Sequence, residues 1–253
     1  MHAVLINKTR TKERKMNDIG ISSKLDTDRI EHLFKIGIFA ALMVLAGDML
    51  LGYGVSEPGT IGLEANFSRY MSVPDLRIFW SATLGLIGIP TECLCYFGVY
   101  RLMAERSDKH AHAYRAGIFG ALILGALIHV ICCAAAYFCK AVRALSPDTA
   151  MDGTMRFMGY FLLPATVIFM IFFGILIGVQ ISAFAKEKTP LPKWCWVFTP
   201  LFGVLSTLIM KLSGDHALTN AIATGWISVG NLWTFGGLLI MSRKHLHDTE
   251  ENT

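Results

Sequence analysis

Charge is scarce in this sequence. Only 17% of the 253 residues are charged and 53% are hydrophobic, whereas an ordinary soluble domain has about 25% charged residues. No basic run is interleaved with aromatic residues, so the net charge of +4 does not indicate nucleic-acid binding. The composition therefore excludes an ordinary soluble domain, and we expect no nucleic-acid partner.

The patterns that mark familiar catalytic and metal sites are missing too. The chain has no Gly-x-Ser-x-Gly, and its glycine-rich strings lie in apolar runs rather than behind a strand, unlike phosphate and dinucleotide loops. Only one of the eight histidines lies within an apolar stretch, so a metal site built from Asp48, Glu92 and His129 is not favoured. We expect no metal and no cofactor.

Disulfide and repeat patterns are also lacking. Four of the six cysteines lie inside apolar stretches, and Cys139 and Cys195 fall near opposite membrane faces, so no disulfide framework is expected. The spacing Cys93-x-Cys95 is neither a zinc nor a redox spacing. Because no internal repeat is visible, a transporter built from inverted repeats is not indicated.

Long apolar stretches are what the chain has in abundance. Six of them are close to or above the roughly 20 residues that a helix needs to cross the hydrocarbon core. They predict an all-α integral membrane bundle of six transmembrane helices over 33–242, between a basic flexible tail at 1–32 and a short tail at 243–253. Met16 is an alternative start. The predicted spans are 33–54, 77–101, 115–138, 156–184, 194–212 and 217–241.

The Lys and Arg residues predict the orientation of this bundle. When the loops are assigned alternately to the two sides, 17 of the 23 Lys and Arg residues fall on one side and six on the other. Loops rich in Lys and Arg stay in the cytoplasm. We therefore expect both termini to be cytoplasmic, with the chain in the inner (plasma) membrane of a cell.

The longest outer loop, 55–76, has a pattern of its own. Leu63, Phe67, Tyr70 and Met71 recur there at helical spacing, with charged residues between them. This pattern predicts a short amphipathic helix on the outer membrane face. A plain loop and a lid over an outward-facing pocket are the two alternatives.

Three ionisable side chains, Asp48, Glu92 and His129, lie inside three consecutive apolar stretches. A charge at the bilayer centre costs at least about 2.5–3.5 kcal/mol, so such residues usually face a bundle interior or a water-filled cavity. Helical steps from each of them reach small residues such as Gly85 and Gly125, which mark close helix contacts. We predict that all three point inward and are the candidate catalytic residues.

Polar residues on other helices are the candidate ligand-binding residues. Asn220, Thr224 and Asn231 share one stripe of the sixth span, opposite two tryptophans, and Tyr96 lies on the same helical face as Glu92. The alternative for the sixth-span residues is that they hold helices together by hydrogen bonds. Kinks that open space between helices are predicted at Pro90, Pro164 and Pro200.

Two chemical roles follow from the depths of these residues. A rise of about 1.5 Å per residue puts Asp48 and His129 in an outer layer and Glu92 and Asn231 in an inner one, which a single cavity could connect. Asp48 and His129 could form a general acid–base couple, or a buried pair that only holds helix register. Glu92 could carry a proton or donate to a ligand, or could bond only to a neighbour such as Asn231.

Two phrases carry a resemblance to known proteins. The phrases GDMLLGYG at 47–54 and GNLWTFG at 230–236 resemble a family of uncharacterised bacterial multi-pass membrane proteins, with a likeness over most of the six-helix region. That resemblance implies the topology and no activity. The Gly-Asp-x-Leu-Leu part is similar to a phrase of membrane lysoplasmalogenases, which hydrolyse vinyl-ether lysolipids. That likeness covers five residues, and the rest of the lysoplasmalogenase pattern is missing.

The function predicted from these features is binding or processing of a membrane lipid or small amphipathic ligand in a polar intramembrane cavity. Whether the chain is an enzyme stays open, as does its oligomeric state. A small proton-coupled transporter or permease is one alternative, and it would need access from both faces. A structural membrane subunit is the other, and it would leave an exposed seam for its partner.

Overall fold

The computed structural model describes residues 25–251, without the side chains of Leu63 and of residues 247–251. This part of the chain is all-α and contains no strand. Most of the predicted tail at 1–32 lies outside the described residues, but the first helix already begins at Thr27, where Asp26 caps it by accepting from the Arg29 N–H. The helices are α1 Thr27–Gly52, α2 Gly62–Tyr70, α3 Asp75–Cys95, α4 Phe97–Ala104, α5 Asp108–Leu145, α6 Pro147–Phe157, α7 Leu163–Ala185, α8 Phe202–Leu212, α9 Ala217–Thr224 and α10 Trp226–Glu251.

Four helical segments are long and apolar enough to cross a membrane. Among the described residues, their outer surfaces carry large exposed apolar side chains such as Phe39, Leu86, Ile123 and Ile171. Exposed apolar surfaces of this kind mark contacts with a membrane or with another protein. The four segments are Thr27–Gly52, Asp75–Ala104, Asp108–Leu145 and Pro147–Ala185.

The predicted span 194–212 is not one continuous helix. A 3₁₀ turn, Lys193–Val197, is followed by an irregular segment with Pro200, and α8 has only 11 residues. Such a helix is about 16 Å long, against a hydrocarbon core of about 30 Å. The predicted span 217–241 is likewise divided, because α9 ends at Thr224 and α10 begins at Trp226.

Close backbone contacts hold this broken segment along α10 in an antiparallel direction. A Cβ on Gly230 would overlap the Pro200 carbonyl, and a Cβ on Gly203 would overlap the Trp226 carbonyl. Further along, Trp233 Nε1 donates to the Val197 carbonyl oxygen at 2.9 Å. The glycines therefore let the two chain segments approach at backbone distance, as small residues do in membrane helices.

The fourth apolar segment contains a π-helical turn, Met158–Leu162, between α6 and α7. Pro164 follows it and has no N–H, so the Tyr160 carbonyl cannot accept the usual bond from four residues ahead. The wider turn is closed instead by the Leu163 N–H, which donates to the Met158 carbonyl. The kink expected at Pro164 thus takes the form of a π turn, a common cause of helix bending.

The bundle packs α1 against α3 and α10, and α5 against α3 and α7. The space between α1, α3, α5 and α10 is where the predicted polar residues meet. The main hydrophobic core of the bundle contains fully or nearly fully buried aromatic and aliphatic side chains: Phe34, Tyr96, Leu102, Tyr114, Phe184, Phe235 and Leu238.

Candidate functional site

Asp48 of α1 and His129 of α5 lie side by side. The Nδ1 atom of His129 is 3.4 Å from Oδ1 of Asp48, and the two side chains are 9% and 13% exposed. Helix α3 contributes Ser81, whose carbonyl oxygen is 2.9 Å from Nε2 of His129. Helix α10 contributes Ser228, whose Oγ donates to Oδ2 of Asp48 at 2.9 Å. Four helices therefore meet at this pair.

These contacts determine how the pair holds its protons. The Ser81 carbonyl can only accept, so Nε2 of His129 carries a hydrogen. The other nitrogen, Nδ1, faces Asp48, so one further proton belongs either to the ring or to the carboxyl group. With the proton on the ring, the pair is ionic; with the proton on Asp48, it is neutral. The arrangement can take up or release a proton without changing its hydrogen-bonded neighbours.

Gly85 makes the position of the His129 ring possible. A Cβ on this residue would overlap Cδ2 and Nε2 of the ring. The predicted small-residue stripe therefore has a direct role, because the absence of a side chain at Gly85 lets the imidazole pack directly against α3. On the same helix, a Cβ on Gly88 would overlap Val44 of α1.

A second set of polar residues, Tyr96, Asn231 and Glu92, lines the same cavity as the Asp48–His129 pair. The hydroxyl of Tyr96 donates to Oδ1 of Asn231 at 2.5 Å, and both residues are 3% exposed. Glu92 is also 3% exposed, and its Oε1 atom has no hydrogen-bond partner among the described residues. A buried polar atom without a partner costs about 1–3 kcal/mol, so it points to a function or to a bound group.

One cavity of about 240 Å³ connects the two polar groups. Asp48, His129, Glu92 and Asn231 all line it. Most of the remaining wall is apolar and comes from α1, α3, α5, α7 and α10: Val44, Leu51, Ile89, Ala121, Ile128, Phe169, Phe173, Leu176, Trp226 and Ile227. A mostly apolar cavity with a few converging polar groups is the usual form of a small-molecule site.

The four predicted ligand-binding residues do not all face this cavity. Asn231, Tyr96 and Thr224 line it. Asn220 does not, because its Nδ2 group donates to the Gly54 carbonyl at 2.9 Å and to Asp215, near the end of the bundle. The break at Gly225 separates α9 from α10, so the polar stripe drawn on one helical wheel is divided between two helices.

Sequence reasoning missed three polar residues of the interior. Tyr70 of α2 reaches the cavity from the loop at 55–76. In the core, Tyr114 donates to Oε1 of Gln180 at 2.9 Å, and Nε2 of Gln180 donates to the Phe198 carbonyl at 2.7 Å. Gln180 is the one polar amide in the long apolar run of α7, a signal that the same logic used for Glu92 could have found.

Helix α2 confirms the expected helix in the 55–76 loop, and its position on the outer membrane face stays a prediction. Phe67 is buried against Ala135 and Met158, so this face packs on the bundle. The side chain of Leu63 lies outside the described residues. Within residues 25–251, no group of three His, Cys, Asp or Glu side chains is arranged to hold a metal ion.

Comparison with known proteins gives a family and no activity. A family described as being of unknown function (DUF6796) matches residues 16–245, and the chain belongs to it. No curated protein and no solved structure matches the chain. The expected membership of an uncharacterised family is confirmed, and the likeness to lysoplasmalogenases stays a prediction.

Proposed function

We propose that this chain crosses the inner membrane six times, with both termini in the cytoplasm. Four continuous helical segments supply four crossings. The broken segment 193–212, which runs antiparallel to α10, and the α9–α10 segment supply the other two. The excess of Lys and Arg on one side supports the orientation.

We further propose that the cavity binds a small amphipathic or lipid-like molecule. The unpartnered Oε1 of Glu92 carries this proposal, because it leaves a buried carboxyl oxygen facing an apolar cavity. A ligand with one polar group and an apolar body would give Glu92 its missing partner and cover the apolar wall. Its size is limited, since 240 Å³ lies below the roughly 300–1,000 Å³ of most ligand pockets.

The Asp48–His129 pair gives this site a group that can exchange a proton with a ligand. It lies in the same cavity and can exchange one proton with a bound group. Processing of the ligand by general acid–base chemistry is therefore the activity that the geometry supports best. A bound hydroxyl, amine or acid group is the kind of group on which it could act.

The test separates ligand capture from folding. Asp48→Asn and Glu92→Gln keep shape and hydrogen-bonding capacity, so both variants should melt close to wild type in detergent while losing the molecules that co-purify with it, identified by mass spectrometry of an organic extract. Asp152→Asn and Glu105→Gln are matched controls on exposed carboxylates and should retain those molecules. Well-folded cavity variants that retain the wild-type molecules would contradict the proposal.

A proton-coupled transporter is the second candidate function. The observation in its favour is that three ionisable side chains from three helices, Asp48, Glu92 and His129, line one cavity. In liposomes, a proton gradient directed inward, with the acidic solution outside, should then drive uptake of the co-purified molecule. Glu92→Gln should make this uptake independent of the gradient. Binding without any gradient-driven uptake would leave only the first function.

A further inference from the structure

A second cavity lies beside the first, at the end of the bundle that the Lys and Arg distribution assigns to the outside. Its volume is about 410 Å³, and it is lined by residues of α2, the π turn and helices α8 and α9, together with Cys132 of α5 and Trp226 of α10. Four residues line both cavities and form their shared wall: Tyr70, Cys132, Thr224 and Trp226. The two spaces are thus adjacent compartments rather than separate sites.

The charged side chains that line this outer cavity are all positive. Arg69 of α2 and Lys211 of α8 line it, and no Asp or Glu is among its described lining residues. Asn66 and Thr219 add neutral groups that can donate hydrogen bonds. The lining therefore has the character of an anion site.

Arg69 has a buried hydrogen-bond donor that is unsatisfied among the described residues. Its Nε is buried and has no hydrogen-bond partner among the described residues, and its guanidinium makes no ion pair with any described side chain. A guanidinium presents planar, paired donors that suit phosphate and carboxylate oxygens. A buried donor of this kind is costly unless a group with acceptor oxygens occupies the cavity.

Asp215 interacts electrostatically with Arg69, but this carboxylate already has hydrogen-bond donors of its own. Asp215 accepts from Asn220 and from the Ser56 N–H, the latter at 3.2 Å, and these contacts hold the loops at this end together. The Asn220 hydrogen bond holds the pKa of Asp215 below its usual range. Asp215 is thus a fixed anion outside the cavity lining, whereas Arg69 lines the cavity.

We propose that the outer cavity binds the phosphate or carboxylate headgroup of an amphipathic molecule, with Arg69 as its main ligand and Lys211 as a second positive charge. The rest of the same molecule passes the shared wall at Tyr70 and Trp226 and lies in the inner cavity, where a second polar group beside its apolar part meets Glu92. This second statement rests on the proposed function of the inner cavity. The headgroup site itself rests only on the lining and on Arg69.

Affinities for three probes, measured with the purified full chain in an uncharged maltoside detergent, test this inference. The probes are a lysophosphatidic acid, a monoacylglycerol with the same acyl chain, and inorganic phosphate. Wild type should bind the lysophosphatidic acid about tenfold or more tightly than the monoacylglycerol, as expected for charge-assisted hydrogen bonds. Arg69→Gln should remove this preference, and Arg69→Lys should keep part of it.

Two further variants protect the test against misfolding and against general charge effects. Lys211 is exposed, so Lys211→Gln should fold normally and reduce the preference by a smaller factor. Arg156→Gln removes one charge from an exposed side chain paired with Asp152, outside the cavity, and should leave the preference unchanged. An unchanged preference in Arg69→Gln, or an equal loss in Arg156→Gln, would overturn the headgroup site.

The probes also separate the possible outcomes. Inorganic phosphate that binds as tightly as the lysophosphatidic acid would assign the site to a free anion and overturn the amphipathic ligand. Monoacylglycerol binding that survives in Arg69→Gln and is lost in Glu92→Gln supports two compartments with separate roles. If Glu92→Gln and Asp48→Asn bind every probe like wild type while Arg69→Gln loses the preference, the inner-cavity function fails and the headgroup site stands.

Discussion

The imidazole of His129 lies between the carboxylate of Asp48, 3.4 Å from Nδ1, and the Ser81 carbonyl, 2.9 Å from Nε2. The second contact assigns the hydrogen on Nε2 and leaves Nδ1 to exchange a proton with Asp48. The expectation that these two residues are neighbours is therefore confirmed, while their chemical role stays a prediction. Gly85 makes the arrangement possible because it has no side chain where the ring lies.

Gly85→Ala should destabilise the protein and disturb the proton-exchange pair. The added methyl group overlaps the His129 ring, so either the ring moves or α3 and α5 separate, at a cost of roughly 1–3 kcal/mol. Thermal unfolding in detergent measures this as a lower melting temperature. Gly174→Ala is the matched control, since a Cβ there meets nothing within 4 Å, and it should leave the melting temperature unchanged or raise it. Equal melting temperatures for the two variants would refute the close contact.

Gln180→Leu should reduce stability without affecting ligand capture. It leaves the Tyr114 hydroxyl and the Phe198 carbonyl without their partner in a fully buried position, at a cost of about 1–3 kcal/mol. Tyr114→Phe removes only one hydrogen bond of the same network and should cost less, about 0.5–1.5 kcal/mol. Melting temperature and co-purified molecules are measured together. If the Gln180→Leu variant kept normal stability but lost the bound molecule, Gln180 would have a role in ligand binding rather than in stability.

Cysteine labelling in intact cells should place the loop at 55–76 outside. Ile61 is 82% exposed, so Ile61→Cys should react with a membrane-impermeant maleimide. Lys188→Cys, exposed in the turn after α7, should react only after the membrane is opened. Five of the six native cysteines are buried and the sixth is partly buried, which keeps background labelling low. The reverse labelling pattern would invert the proposed topology.

Much of the candidate site could be read from the positions of polar residues in apolar runs. Asp48, Glu92, His129 and Asn231 were all found in this way, and the structure places them around one cavity. Asn220 shows the limit of the method, because a helical wheel assumes one unbroken helix and the chain breaks at Gly225. Arg69 shows another limit: nothing in a loop sequence tells that its Nε will be buried without a hydrogen-bond partner among the described residues.

The sequence by itself determined that this protein is a bundle of apolar helices with a few costly polar groups inside it, because apolar length and helical periodicity are local properties of the chain. Only the tertiary structure decided which of those groups meet. Whether Asp48 reaches His129, and whether Gln180 reaches Tyr114, depends on the distance and rotation between helices far apart in the chain. Close contacts at residues such as Gly85 and Gly230 set those distances, and they exist only once the helices have packed.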